Sequence, residues 1–169
     1  WIADMELEVQ DNPDNKGLED FYNQERLNVH LAGVCDIFDY RANKAINSFA
    51  TDDNQIKRYS NYKEMIRSGE IDAIVIATPD HWHAPMAIEA LNHGIHVYVE
   101  KPMTHSIGET YALREAALGS NAVFAVGHQH RQTLSFKTAA HIIEKGTLGH
   151  ISLIQTNTNR NDDNGAWNY

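Results

Sequence analysis

A chain of 169 residues, 42% of them hydrophobic, is long enough for one domain with a sizeable core. Twenty-three acidic residues against 14 basic ones give a net charge of −9 and no basic stripe, which argues against a nucleic-acid backbone as partner. No apolar run approaches the roughly 18 residues of a bilayer span, so no membrane partner is expected.

The opening Trp1-Ile2-Ala3-Asp4-Met5-Glu6 lacks the basic start and apolar centre of a signal peptide. That points weakly to the cytoplasm, since a processed precursor would look the same. Residues 1–9 read as a first helix, and 11–20, broken by Pro13 and Gly17, as an exposed loop. The apolar run 29–35 predicts a buried strand. Within it Cys35, the single cysteine, excludes an internal disulfide and reads as a small buried hydrophobe.

A helix with Ala42, Ala45, Ile46 and Phe49 on one face follows, with Asp39 as its N-cap. A shorter one around Tyr62, Met65 and Ile66 follows Ser60 and stops at Gly69. The β-branched run 71–77 predicts a strand covered on both faces. Pro85 lies near the start of the next helix, which turns Ala87, Ala90 and Leu91 inward and ends at His93-Gly94. The run 95–99 is the next strand. Ser106 and Glu109 fit a capping box before a helix to about Leu118. A strand over 122–126 follows. A helix with Phe136, Ala139, Ala140 and Ile143 on one face then ends at Gly146, and a final strand is expected over 151–156 before a polar tail.

Strands alternating with helices imply right-handed crossovers and a doubly wound, mainly parallel α/β sheet of Rossmann-like type. Such a fold should begin with a strand and a glycine-rich turn that holds a pyrophosphate at a helix N-terminus. No G-x-G-x-x-G is present, and neither Gly17 nor Gly33 follows a recognisable strand and opens a helix. The first strand is therefore expected to be lacking from this chain.

Four places carry possible chemistry. Asp36, at the carboxyl end of the first visible strand, is placed to accept both ribose hydroxyls of an adenosine and to repel a 2′-phosphate. Position alone fits a helix-capping or loop aspartate equally well. Thr78-Pro79-Asp80 ends the strongest strand, where ligands bind in open α/β sheets, although caps use the same residues. The pairs His81/His83 and His128/His130 suggest zinc, but no cysteine or carboxylate stands at ligand spacing, so no metal is expected. In Glu100-Lys101-Pro102, a lysine just past a buried strand can lose proton affinity by desolvation and then exchange a proton with a substrate hydroxyl. Residue types alone favour an exposed surface lysine.

The order of these motifs resembles the Gfo/Idh/MocA family of oxidoreductases. Residues 72–88, containing Ala77-Thr78-Pro79-Asp80-His81-Trp82-His83, look like that family's cofactor strand and turn. His93-Gly94 and then Val99-Glu100-Lys101-Pro102 follow at the family's spacing. Gly127-His128-Gln129-His130-Arg131 resembles the next strand end, and Lys145-Gly146-Thr147-Leu148-Gly149 the entry into a second domain. The similarity runs from about Val29 to Ile151, with His128 and His130 departing from the commoner residues there.

The resemblance implies a dinucleotide-binding domain over 1–128 and the beginning of an α+β substrate and oligomerisation domain over 129–169. It implies NAD, with NADP possible, as cofactor, a sugar, inositol or related polyol as substrate, and a homo-oligomer in the full-length protein. Lys101 would be catalytic. Asp36 would contact the adenosine ribose, Thr78 and Pro79 the phosphate-ribose region, and His83 the cofactor-side turn. Glu100 would lie near the nicotinamide ribose, and Gln129 and Arg131 would border nicotinamide and substrate. The family's second domain carries an aspartate and a histidine that complete the catalytic group, so this chain alone is expected to be inactive.

Two other readings remain open. One is a glycosidase using transient sugar oxidation by NAD, against which Glu100-Lys101-Pro102 argues. The other is a non-catalytic sugar- or nucleotide-binding module.

Overall fold

The computed structural model describes residues 29–156, with Lys16 and Asn23 besides. The helix expected over 1–9, the loop over 11–20 and the polar tail from 157 lie outside the described residues.

Among the described residues, five parallel strands and five α-helices alternate. Strand β1 (Gly33–Val34) leads into helix α1 (Asp39–Phe49), and β2 (Lys57–Arg58) into α2 (Tyr62–Arg67). Strand β3 (Ala73–Ile76) passes through a 3-10 turn (Asp80–Trp82) into α3 (His83–Asn92). Strand β4 (His96–Glu100) precedes α4 (Ile107–Gly119), and β5 (Phe124–Gly127) a second 3-10 turn (Gln129–Gln132) and α5 (Leu134–Glu144). Two parallel sheets result, one of order β1-β2 and one of order β3-β4-β5. The register pairs Val75 with Tyr98, Tyr98 with Ala125, and Glu100 with Gly127.

Local signals account for most of these boundaries. The Ser106 side chain accepts from Glu109 N–H while the Glu109 carboxylate accepts from Ser106 N–H, closing the expected capping box on α4. At α2 the cap is Asn61 rather than Ser60: its side chain accepts from Glu64 N–H at 2.9 Å, and Glu64 reaches back to the Ser60 hydroxyl at 2.6 Å. Asp39 stands one place inside α1, behind an N-cap Phe38 that makes no side-chain cap bond. Gly69, Gly94 and Gly146, just past three helix ends, have φ of 71°, 74° and 67°, a conformation only glycine enters without steric cost.

The core lies between one face of the β3-β4-β5 sheet and helices α3 and α4. Ile74, Ile76, Val97 and Val99 point into it and meet Ala84, Ala87, Leu91 and Leu113, all buried. Each fully buried aliphatic side chain there contributes about 1.5–3 kcal/mol.

Three expectations are corrected. Residue 75 in β3 was expected to be covered like its neighbours, but Val75 is 72% exposed, because α3 and α4 pack only on the Ile74 face of that sheet. Residues 151–156 form no strand, since a strand needs a neighbouring edge to bond with and none is paired with them. The strand expected over 29–35 contracts to Gly33–Val34, the stretch that pairs with β2. Helix α5 forms as expected, yet none of its residues is buried among the described residues.

Candidate functional site

Parallel strands all end at the same edge of a sheet, so the segments after β3, β4 and β5 converge. The structure thereby brings together Thr78 and Pro79 after β3, Glu100 and Lys101 at the end of β4, and Gln129 and Arg131 in the turn after β5. Thr78 and Glu100 are half-buried, while Pro79, Lys101, Gln129 and Arg131 are exposed. Lys101 is thus open to solvent in the described structure, without the burial that the sequence argument invoked for it. The Glu100 carboxylate accepts from Lys101 N–H at 3.2 Å, and the peptide bond between Lys101 and Pro102 is cis.

His83 stands at the start of α3, directly after the 3-10 turn. Its ring is 2% exposed, with Nδ1 2.6 Å from the Pro102 carbonyl oxygen and Nε2 2.7 Å from that of Thr78. Both ring nitrogens are engaged by the protein's own backbone. The histidine thus lies beneath the segment that leaves β3.

Asp36 lies on the other sheet's edge, just past β1. One carboxylate oxygen accepts from Phe38 N–H at 2.7 Å, the local turn that position alone allowed. Next to it, burial first, and then the charges of Asp36 and Glu64, push the Cys35 thiol up, with Arg58 opposing. Arg58 is itself paired with the Asp39 carboxylate. Between β1 and β3 opens an apolar cleft of about 800 Å3, lined by residues 29–35 on one side and 70–76 on the other.

Two residues were missed in the sequence. Tyr98 shares the open face of β4 with Glu100, and both side chains reach across to Gly127 on β5. A Cβ at Gly127 would stand 2.6 Å from the Tyr98 hydroxyl and 2.9 Å from a Glu100 oxygen. Only glycine leaves that space to a tyrosine hydroxyl and a carboxylate. The signal was present in the alternation His96, Tyr98, Glu100, polar on one face of a strand whose other positions are Val97 and Val99.

Among the described residues no group of three or more histidine, cysteine, aspartate or glutamate side chains could hold a metal ion. No described helix is long and apolar enough to cross a membrane.

Open parallel α/β sheets bind their ligands at the carboxyl edge, where these polar side chains gather, and this places the chain in the class of doubly wound ligand-binding proteins. The model of a family described as "Oxidoreductase family, NAD-binding Rossmann fold" matches residues 14–128, and the chain belongs to that family, Gfo/Idh/MocA. It is 35% identical over 92 residues to levoglucosan dehydrogenase of Pseudarthrobacter phenanthrenivorans, covering 54% of this chain and 24% of that protein. The structure resembles myo-inositol 2-dehydrogenase from Lactobacillus plantarum, with a TM-score of 0.65, 29% identity and coverage of 76% of this chain and 37% of that one. It also resembles a levoglucosan dehydrogenase in complex with NADH and levoglucosan, with a TM-score of 0.61, 29% identity and coverage of 70% and 31%. The chain therefore spans well under half the length of the proteins it matches.

The residues present fit the nicotinamide half of a dinucleotide. The absent side chain at Gly127 lets the Tyr98 hydroxyl and the Glu100 carboxylate gather at the strand end, polar groups of the kind a ribose or an amide bonds. The pyrophosphate turn is not among the described residues.

Proposed function

We propose that this chain is the cofactor-binding part of an NAD(H)-dependent oxidoreductase that acts on a sugar, inositol or related polyol. The observation that carries the reading is the convergence of Thr78-Pro79, Glu100-Lys101 and Gln129 at one sheet edge. Family membership supports the cofactor class, and the named relatives support the substrate class.

When bound, nicotinamide supplies the hydride chemistry. The chain's own residues bind, orient and move a proton. Lys101 Nζ takes the proton from the substrate hydroxyl during oxidation and returns it during reduction. Glu100 lies along the nicotinamide ribose, Thr78 and Pro79 along the phosphate-ribose region, and Gln129 at the nicotinamide, with Arg131 toward the substrate. Asp36 accepts from the adenosine ribose through its carboxylate, and its charge disfavours a 2′-phosphate, hence NAD over NADP. His83 supports the cofactor-side turn from within.

The division into a dinucleotide domain over 1–128 and the start of a substrate domain from 129 belongs to the same reading. So do a homo-oligomeric full-length protein and a cytoplasmic location.

The test is an absorbance assay on the full-length protein with NAD and a panel of inositols, aldoses and anhydrosugars. Net NADH formation with at least one of them is expected. Free sugar released from glycosides without net NADH would replace this reading with the glycosidase one. Ligand binding without turnover of any kind would replace it with the binding-module one.

A further inference from the structure

His83 is the one buried histidine among the described residues. It sits at the start of α3, and its two ring nitrogens meet carbonyl oxygens from two different segments. The Thr78 carbonyl, 2.7 Å from Nε2, belongs to the segment leaving β3. The Pro102 carbonyl, 2.6 Å from Nδ1, belongs to the segment leaving β4, one residue beyond Lys101. No side chain other than this ring bonds both segments among the described residues.

Each ring nitrogen lies at hydrogen-bond distance from one carbonyl oxygen, so the ring spans the gap between the two segments. A planar ring held at both ends fixes the spacing of the two segments far more tightly than a single bond would. At 2% exposure the ring is closed off from solvent, and its role runs through the backbone it holds.

We propose that His83 is the positioning residue that sets Lys101 against the Thr78-Pro79 turn. It rests on the role given to Lys101 above. Displacing a proton-transfer group by about 1 Å can cost on the order of 100-fold in rate, so such a clamp would be read mainly in kcat.

The experiment uses the full-length protein with two substitutions, His83→Phe, which fills the space without donors, and His83→Gln, which restores an amide donor. In His83→Phe, kcat for polyol oxidation is expected to fall at least about 10-fold with KM within about threefold, and His83→Gln to recover part of the loss. Wild-type kcat in His83→Phe would overturn the proposal, as would a loss confined to KM. If His83→Phe does not fold, His83→Leu takes its place under the same outcomes. A wild type that turns over no polyol refutes the proposed function instead, and with it the role of Lys101 on which the clamp rests.

Discussion

Glu70 accepts from Lys57 Nζ at 2.8 Å and from the hydroxyl of Tyr59, and these bonds, Lys57 first, hold its carboxyl below the ordinary carboxylate range. A carboxyl whose folded value is depressed contributes stability above its unfolded value of about 4.5, and loses it as the pH falls through the folded one. Glu70→Gln is therefore expected to flatten the acid side of a stability profile measured by urea unfolding from pH about 3 to 6. Cys35 runs the other way. With its thiol pushed up by burial and by Asp36 and Glu64, less thiolate is present at any given pH, and alkylation by iodoacetamide should be slower than for a free cysteine. At Gly127 the added methyl of Gly127→Ala would meet Tyr98 and Glu100 within 3 Å, so NADH binding, followed by fluorescence titration, should weaken several-fold while the fold persists. The ends of two flexible side chains must move, and backbone need not.

Elements were most legible where their signal is local. The capping box of α4 reads directly from Ser106 and Glu109, because cap and partner lie three residues apart. Ser106→Ala should cost about 1 kcal/mol in chemical denaturation, and Leu113→Ala, which empties a site 1% exposed under α3, about 2–5 kcal/mol. What failed was non-local. The open face of β3 could not be read from Ile71 to Ala77, since an apolar run does not say which neighbours cover it. Residues 151–156 have strand composition but no paired edge. The burial of His83 was likewise hidden, because its two acceptors come from Thr78, five residues away, and Pro102, nineteen residues away.

At the scale of the molecule, the order of β3, β4 and β5 with their helices, and with it the edge where polar residues converge, followed from the alternation of periods, whereas the two-residue β2 (Lys57–Arg58) carries no such signal and was missed. The chemistry at that edge did not. Lys101 by itself is an exposed lysine, and only its arrival beside Thr78-Pro79 and Gln129 through the parallel register gives it a candidate task. Asp36 stands apart on the β1-β2 sheet, across an apolar cleft from β3. The full-length protein should then bind NADH through contacts spread over both sheets, and lose the proton step with a single side chain. The direct measurement is Lys101→Met in that protein, with polyol oxidation followed at 340 nm and NADH affinity titrated in parallel. The account predicts a fall in kcat of about 100-fold or more with NADH affinity little changed. Turnover equal to the wild type would contradict it.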